Sequence, residues 1–213
     1  MSLIMPENVR NTLDSLAVKY VKGHYVEDGA AALEIIKPHL TPGVTAASGN
    51  SQTLRQTGIF EYLASEQHPA QFINQFVPGL SFEENRRLKK LGLSSDLYLS
   101  SANAITEDGK LCFLDGGGNR VAAILFGPEK VFIVVGQNKI VKNEKAAWER
   151  IQHYVSPQTA IQLGRKLPCA ADGKCHNCNE PARFCRYYVT VNGQLERDKD
   201  RIEVIIVAQD LGI

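Results

Sequence analysis

Apolar positions along this chain follow two patterns. Val9, Leu13, Leu16 and Tyr20 recur at helical spacing behind Pro6, and a second helix is expected from an Asp28 cap through Ile36 to a stop at Pro38. Elsewhere the apolar residues form short continuous runs. The segment "GVTAASGNSQTLRQTG" (43–58) reads as a buried strand, a small-residue turn at Gly49 and the start of a helix. "SFEE" (81–84) is a capping box that opens a helix ending near Gly92, and "DLYLSS" (96–101) is the next strand. "KLCFLD" runs into the turn "GGGN", and "KVFIVVG" (130–136) is the clearest buried strand. Asn143 then starts a helix carrying Ala147, Ile151 and Tyr154 toward the core, and Ser156-Pro157 restarts it as another. "RYYVTVNGQLERDKDRIEVIIVA" reads as two strands joined through an Asn192-Gly193 turn, the last (201–208) returning to the sheet or pairing at its edge.

Strands apolar on both faces and alternating with helices are what a parallel sheet covered by helices requires. The expected fold class is therefore α/β with a mostly parallel sheet, in a single domain. Its core covers about residues 5–165, followed by a cysteine-rich segment (166–186) and C-terminal strands (187–213). Met1 to Leu3 read as an addition ahead of a natural start at Met5.

Charge narrows the partners. Twenty-four Lys and Arg against 23 Asp and Glu give a net charge of +1, with no basic run able to neutralise a row of phosphates, so nucleic acid is not an expected partner. No apolar run reaches bilayer-spanning length and no secretory leader pattern opens the chain, which reads as cytoplasmic.

Three segments carry candidate chemistry. "SGNSQT" (48–53) follows a strand and opens a helix, a turn that either holds an anion with Asn50, Ser51 and Thr53 or serves only as a Ser51 cap. "SSANAITEDGKLCFLDGGGNR" (100–120) supplies two glycine-bearing loops with Asn103, Thr106, Glu107, Asp115, Asn119 and Arg120. Loops at the carboxyl ends of parallel strands line the ligand crevice of an open α/β sheet, so Ser51, Thr53, Asn103, Asn119 and Arg120 are expected to converge on one small anionic substrate. The alternative for each is a turn residue or a surface ion pair. Dinucleotide, phosphate-loop, esterase and zinc-protease fingerprints are absent.

The third segment, "CAADGKCHNCNEPARFC" (169–185), holds four of the five cysteines. Cys169, Cys175, Cys178 and Cys185 follow C-x5-C-x2-C-x6-C, which contains only one zinc-knuckle pair and neither standard ferredoxin spacing. Four thiolates in a reducing compartment fit an iron–sulfur cluster, with structural zinc as the alternative and unligated thiols as the third reading. His176 reads as a solvated neighbour of the knuckle, and Cys112 as a small core residue.

The motif "GNSQTL", the stretch "SSDLYLSSANAITEDGKLCFLDGGGNRVAAILFGPEKVFIVVGQNKIV" and the final "PCAADGKCHNCNEPARFC" together resemble the lactate-utilisation (LUD) domain family, in its short form with a cysteine-rich C-terminal segment. The resemblance implies a fold similar to ribose phosphate isomerase and coenzyme A transferases, and an association with bacterial L-lactate oxidation beside iron–sulfur subunits. The chain lacks ferredoxin-like repeats and an obvious flavin site, so a single cluster would need a redox partner subunit. Two enzymatic readings follow. One is a redox component that binds a 2-hydroxy or 2-oxo acid. The other is an isomerase or transferase acting on a phosphorylated or coenzyme A substrate, with Glu107 as catalytic base or nucleophile and a structural metal. A non-enzymatic assembly subunit is the third.

Overall fold

The long apolar runs become the middle of a six-stranded, all-parallel sheet in the computed structural model, which describes residues 3–213. Met1 and Ser2, part of the segment read as an addition, lie outside the described residues. In chain order the strands are β1 (Lys22–Val26), β2 (Thr45–Ser48), β3 (Gln71–Ile73), β4 (Leu97–Ser100), β5 (Ala104–Thr106), β6 (Leu111–Asp115), β7 (Lys130–Gly136), β8 (Ile140–Val141), β9 (Tyr187–Val191) and β10 (Ile202–Val207). The helices are α1 (Glu7–Ala17), α2 (Gly29–Ile36), α3 (Gln52–Gln56), α4 (Ile59–Leu63), α5 (Phe82–Leu91), α6 (Asn119–Leu125), α7 (Glu144–Arg150), α8 (Ser156–Gln162) and α9 (Pro168–Asp172).

The large sheet has the order β1-β10-β7-β4-β2-β3. Strands β7 and β10 are covered on both faces, which is why they are apolar apart from Lys130 and Glu203 near their starts. Alternation along them divides the core: Val131, Ile133, Val135, Val204 and Ile206 pack on one face with Val9 and Leu16 of α1 and Ile124 of α6. Phe132, Val134, Ile205 and Val207 pack on the other with Ile36 of α2, Leu54 of α3 and Ile59 of α4. Asp28, Ser51, Ser81 and Asn143 cap α2, α3, α5 and α7 by accepting backbone N–H bonds, and Ser81 and Glu84 complete the capping box read from the sequence.

A second sheet, β8-β5-β6-β9, lies beside the first, and its inner face meets Ala147, Ile151 and Val155. Of the two placements expected for the last strand, the return to the sheet is the one observed: β10 inserts between β1 and β7, whereas β9 runs antiparallel to β6 in the second sheet. The Asn192-Gly193 turn is used to cross between sheets, with Gln194 N–H donating to the Lys19 carbonyl at 2.9 Å. Ser156-Pro157 opens α8 as expected, with Pro157 in its first turn. A π-helical turn, Ile151–Val155, joins α7 to α8, and Ser156 Oγ donates to the Ile151 carbonyl at 2.8 Å where Pro157 lacks an N–H. Tyr154, expected to face the core, is exposed on that widened turn.

Candidate functional site

The ends of β2, β4 and β7 carry the chain into three loops around one crevice of about 430 Å³. Asn50 and Ser51 come from the first, Ser101 and Asn103 from the second, and Lys139 from the third. Asp115 and Arg120 enter from β6 and α6, and the C-terminal residues Gly212 and Ile213 close the opposite side.

Of the five residues expected to converge, Ser51, Thr53, Asn103 and Arg120 line this crevice, joined by the further candidates Asn50 and Asp115. Asn119 lines an adjoining cavity of about 320 Å³, which shares Asn50, Asp115 and Arg120 with the first and also contains Gln75. Thr106 and Glu107 are not brought to either. Thr106 is buried and held by Asp108 and the Lys110 N–H, and Glu107 accepts from Asn11 Nδ2 of α1 at 3.3 Å.

Arg120 is fixed rather than free. Its Nε donates to Asp115 Oδ2 at 3.0 Å, Nη1 to the Ser101 carbonyl at 2.9 Å, and Nη2 to Asn103 Oδ1 and the Leu114 carbonyl at 3.1 and 2.6 Å. Asp115 is held in turn by the N–H groups of Gly117 and Gly118 at 3.0 and 2.6 Å. The glycine-rich turn thus ties Asp115 to Arg120, with Gly118 at a positive φ of 81° where the chain turns into α6. Ser51 is likewise committed, accepting the Leu54 N–H at 3.2 Å as the cap of α3.

The residue that sequence reasoning missed is Lys139. It follows β7 and is 3% exposed, yet no carboxylate pairs with it. Nζ donates to Thr53 Oγ1 at 3.0 Å, Ser101 Oγ at 3.1 Å and the Ala102 carbonyl at 3.3 Å, all neutral oxygens. Burial, reinforced by the positive charges of Arg150 and Arg120, lowers its pKa to about 7. Arg150 is itself half-buried, with Nη1 lacking a hydrogen-bond partner among the described residues. Gly212 lies over this group at a φ of 68°, where a Cβ would come within 2.4 Å of Thr53 Oγ1 and 2.8 Å of Lys139 Nζ. The available signal was positional: a lysine in the short turn "QNK" that follows the carboxyl end of the most buried strand.

The cysteine segment forms a separate site. Cys169, Cys175, Cys178 and Cys185 line one cavity of about 350 Å³, together with His176, Arg183 and Tyr188. Cys169 is seated by the short helix α9 against Ala160 and Leu167, and Gly173 and Asn177, at φ 74° and 45°, turn the chain back toward it. Cys175 Sγ accepts the Asn177 N–H at 3.4 Å, and Arg183 clamps the loop through the Cys178 and Cys185 carbonyls. Burial raises the Cys169 thiol pKa, and the neighbouring Cys185, Cys178 and Cys175 raise it further. His176 bonds to Asp172 at 2.9 Å. All five cysteines are free, and among the described residues no three His, Cys, Asp or Glu side chains already form a metal-coordinating group. Cys112 is fully buried in β6.

A parallel α/β sheet with a polar crevice at its strand ends defines the class of this protein. The family model of the LUD domain matches residues 9–207, and the chain belongs to that family. The crystal structure of a DUF162 family protein from Deinococcus radiodurans is similar in fold, with a TM-score of 0.51 at 14% identity over 95% of this chain and 97% of that one. No curated protein matches the chain. The family links the protein to lactate utilisation in general terms. No helix among the described residues is long and apolar enough to cross a membrane.

Proposed function

We propose that this chain is a carboxylate-binding component of bacterial L-lactate utilisation, which receives a small 2-hydroxy or 2-oxo acid in the crevice beside Lys139. One observation carries this reading: a buried amine that has no carboxylate partner, at the floor of a polar crevice and close to two guanidinium groups. An incoming carboxylate would supply the missing counter-charge and favour the protonated amine. Asp115 already balances Arg120, which leaves Lys139 and Arg55 as the crevice-lining cations without a carboxylate partner, with Arg150 close behind Lys139. The isomerase or transferase reading is weaker, because Glu107, its intended base, bonds to α1 instead.

Cys169, Cys175, Cys178 and Cys185 are the residues that would hold an iron–sulfur cluster, or zinc in the alternative. Four thiols around one cavity repel one another when ionised, a conflict that a bound cationic centre removes. The Asn177 N–H aimed at sulfur is the kind of contact that tunes a cluster. Such a group supplies one-electron transfer when bound. Lactate oxidation releases two electrons, so a redox partner subunit completes the scheme.

Thermal-shift measurements test the carboxylate reading. Lactate and pyruvate are expected to raise the melting temperature, and ribose 5-phosphate and glucosamine 6-phosphate to leave it unchanged. Stabilisation by the sugar phosphates alone would overturn the reading in favour of the isomerase class.

A further inference from the structure

Every cation-forming side chain in a protein interior needs a reason to be there. The three N–H bonds of Lys139 tie its loop to α3 and to the loop after β4, but they go to neutral acceptors and no carboxylate neutralises it, so they account for its position and not for its charge. From this geometry we infer that Lys139 is a nucleophile, which condenses with the ketone carbon of a 2-oxo acid bound in the crevice to form an imine. The inference rests on the proposed carboxylate site and adds the chemistry that this site performs on ligands bearing a carbonyl group.

A nucleophilic amine must be neutral; the surroundings favour that form before an acid binds, and once its carboxylate is in place the attack draws on the neutral fraction that remains. Nζ is desolvated, and the two charges that face it, Arg120 on α6 and Arg150 on α7, are both positive. The groups in direct contact with it are uncharged: Thr53 from α3, Ser101 and the Ala102 carbonyl after β4, and the backbone of Gly212; Arg55 of α3, Asp115 of β6, which is paired with Arg120, and the terminal carboxylate of Ile213 line the same crevice without pairing with Nζ. Burial lowers the Lys139 pKa to about 7, so a substantial fraction of the amine is neutral near physiological pH, whereas a surface lysine is almost wholly protonated.

The step balances without a further reagent. The Nζ lone pair attacks the carbonyl carbon as the C=O π bond breaks, and one amine proton passes to the oxygen, giving a carbinolamine. The Thr53 and Ser101 hydroxyls, at 3.0 and 3.1 Å, are placed to relay that proton. The C–O bond then breaks, oxygen leaves as water with the second amine proton, and nitrogen forms the C=N bond. The carboxylate next to the ketone remains in the positive field of Arg120 and Arg150. Lactate has an alcohol at that carbon and so stops at non-covalent binding.

Reductive trapping tests the proposal. The protein is incubated with pyruvate and sodium cyanoborohydride, digested, and mapped by mass spectrometry, with melting temperatures measured in parallel for pyruvate and lactate. The expected result is one pyruvate-derived unit on the peptide containing Lys139, formed about tenfold or more faster than on any other lysine. Its rate should rise through pH 7, lactate should compete with it, and no adduct should form from lactate itself. Mapping uses the wild-type chain, so the result does not depend on a variant that folds. If both acids stabilise the protein but Lys139 is labelled no faster than surface lysines, the imine is overturned and the carboxylate site stands. If neither acid stabilises it and Lys139 is not selectively labelled, both fall.

Discussion

Nζ of Lys139 lies 3.0 Å from Oγ1 of Thr53, joining the loop after β7 to the first turn of α3 across the floor of the crevice. The contact satisfies the amine's hydrogen bonding but not its charge. In the absence of an anion, protonated Lys139 therefore costs stability.

Replacing this residue should show that cost. The folded-state pKa of Lys139 is lowered from 10.5 to about 7, so below pH 7 the folded protein carries the full penalty of a buried charge. Between pH 7 and 10.5 the unfolded chain binds more protons than the folded one, and wild-type stability rises with pH. Lys139→Met should accordingly raise the melting temperature most at pH 6 to 7, with the advantage shrinking toward pH 10. A constant difference across that range would show that the amine is not desolvated as described.

Arg120 reports on architecture before affinity. Arg120→Ala removes donors from the Ser101 and Leu114 carbonyls and leaves Asp115 without its partner, so about 3 kcal/mol of unfolding free energy should be lost in denaturant titration. Arg120→Lys keeps the charge but not the fork, and should recover less than half of that. Full recovery with lysine would mean that charge alone matters here.

Acid sensitivity should trace to Glu203. Burial opposes its ionisation, but hydrogen bonds from His24 and Lys130 and the charges of Lys130 and Lys22 prevail and lower its pKa from 4.5 to about 2. Stability from this group is complete above pH 4.5 and is lost as the pH falls toward 2. Glu203→Gln should therefore melt well below wild type at pH 7, with the two curves converging as the pH falls below 4.5.

The thiol cluster makes a contrast between two cysteines. In protein purified without oxygen, Cys178→Ser should abolish iron or zinc content and increase proteolytic cleavage within 169–185, because metal binding and local folding are coupled. Cys112→Ser, which alters a fully buried β6 residue, should leave metal content unchanged. Equal loss in both variants, or no metal in the wild type, would remove the four-thiolate reading.

The parts legible in the sequence were those that local chemistry dictates. Capping by Asp28, Ser51, Ser81 and Asn143, and the buried character of β4 and β7, follow from side chains and their immediate neighbours. Long-range choices were not legible. The residues of β10 suit any buried parallel position, and nothing near them specifies insertion between β1 and β7 rather than pairing with β9. Strand β1, "KGHYV", carries glycine and polar residues and gains its pairing from β10. Within the crevice, Thr53, Asn103, Asp115 and Arg120 stood out as polar residues in turns after strands. Lys139 did not, because its significance is the absence of a partner, which only the packing of α3, α6 and the C-terminal residues reveals.

Isothermal titration calorimetry of lactate and pyruvate, with wild-type protein and Lys139→Met compared at pH 6.5, decides whether the crevice is a carboxylate site. Saturable binding of both acids at one site per chain is expected, weakened by about tenfold to a hundredfold when the amine is removed. It should be accompanied by proton uptake, seen as a dependence of the heat on buffer ionisation enthalpy, as the ligand draws Lys139 into its charged form. Equal affinity in the two proteins, or no heat from either acid at millimolar concentration, would contradict it.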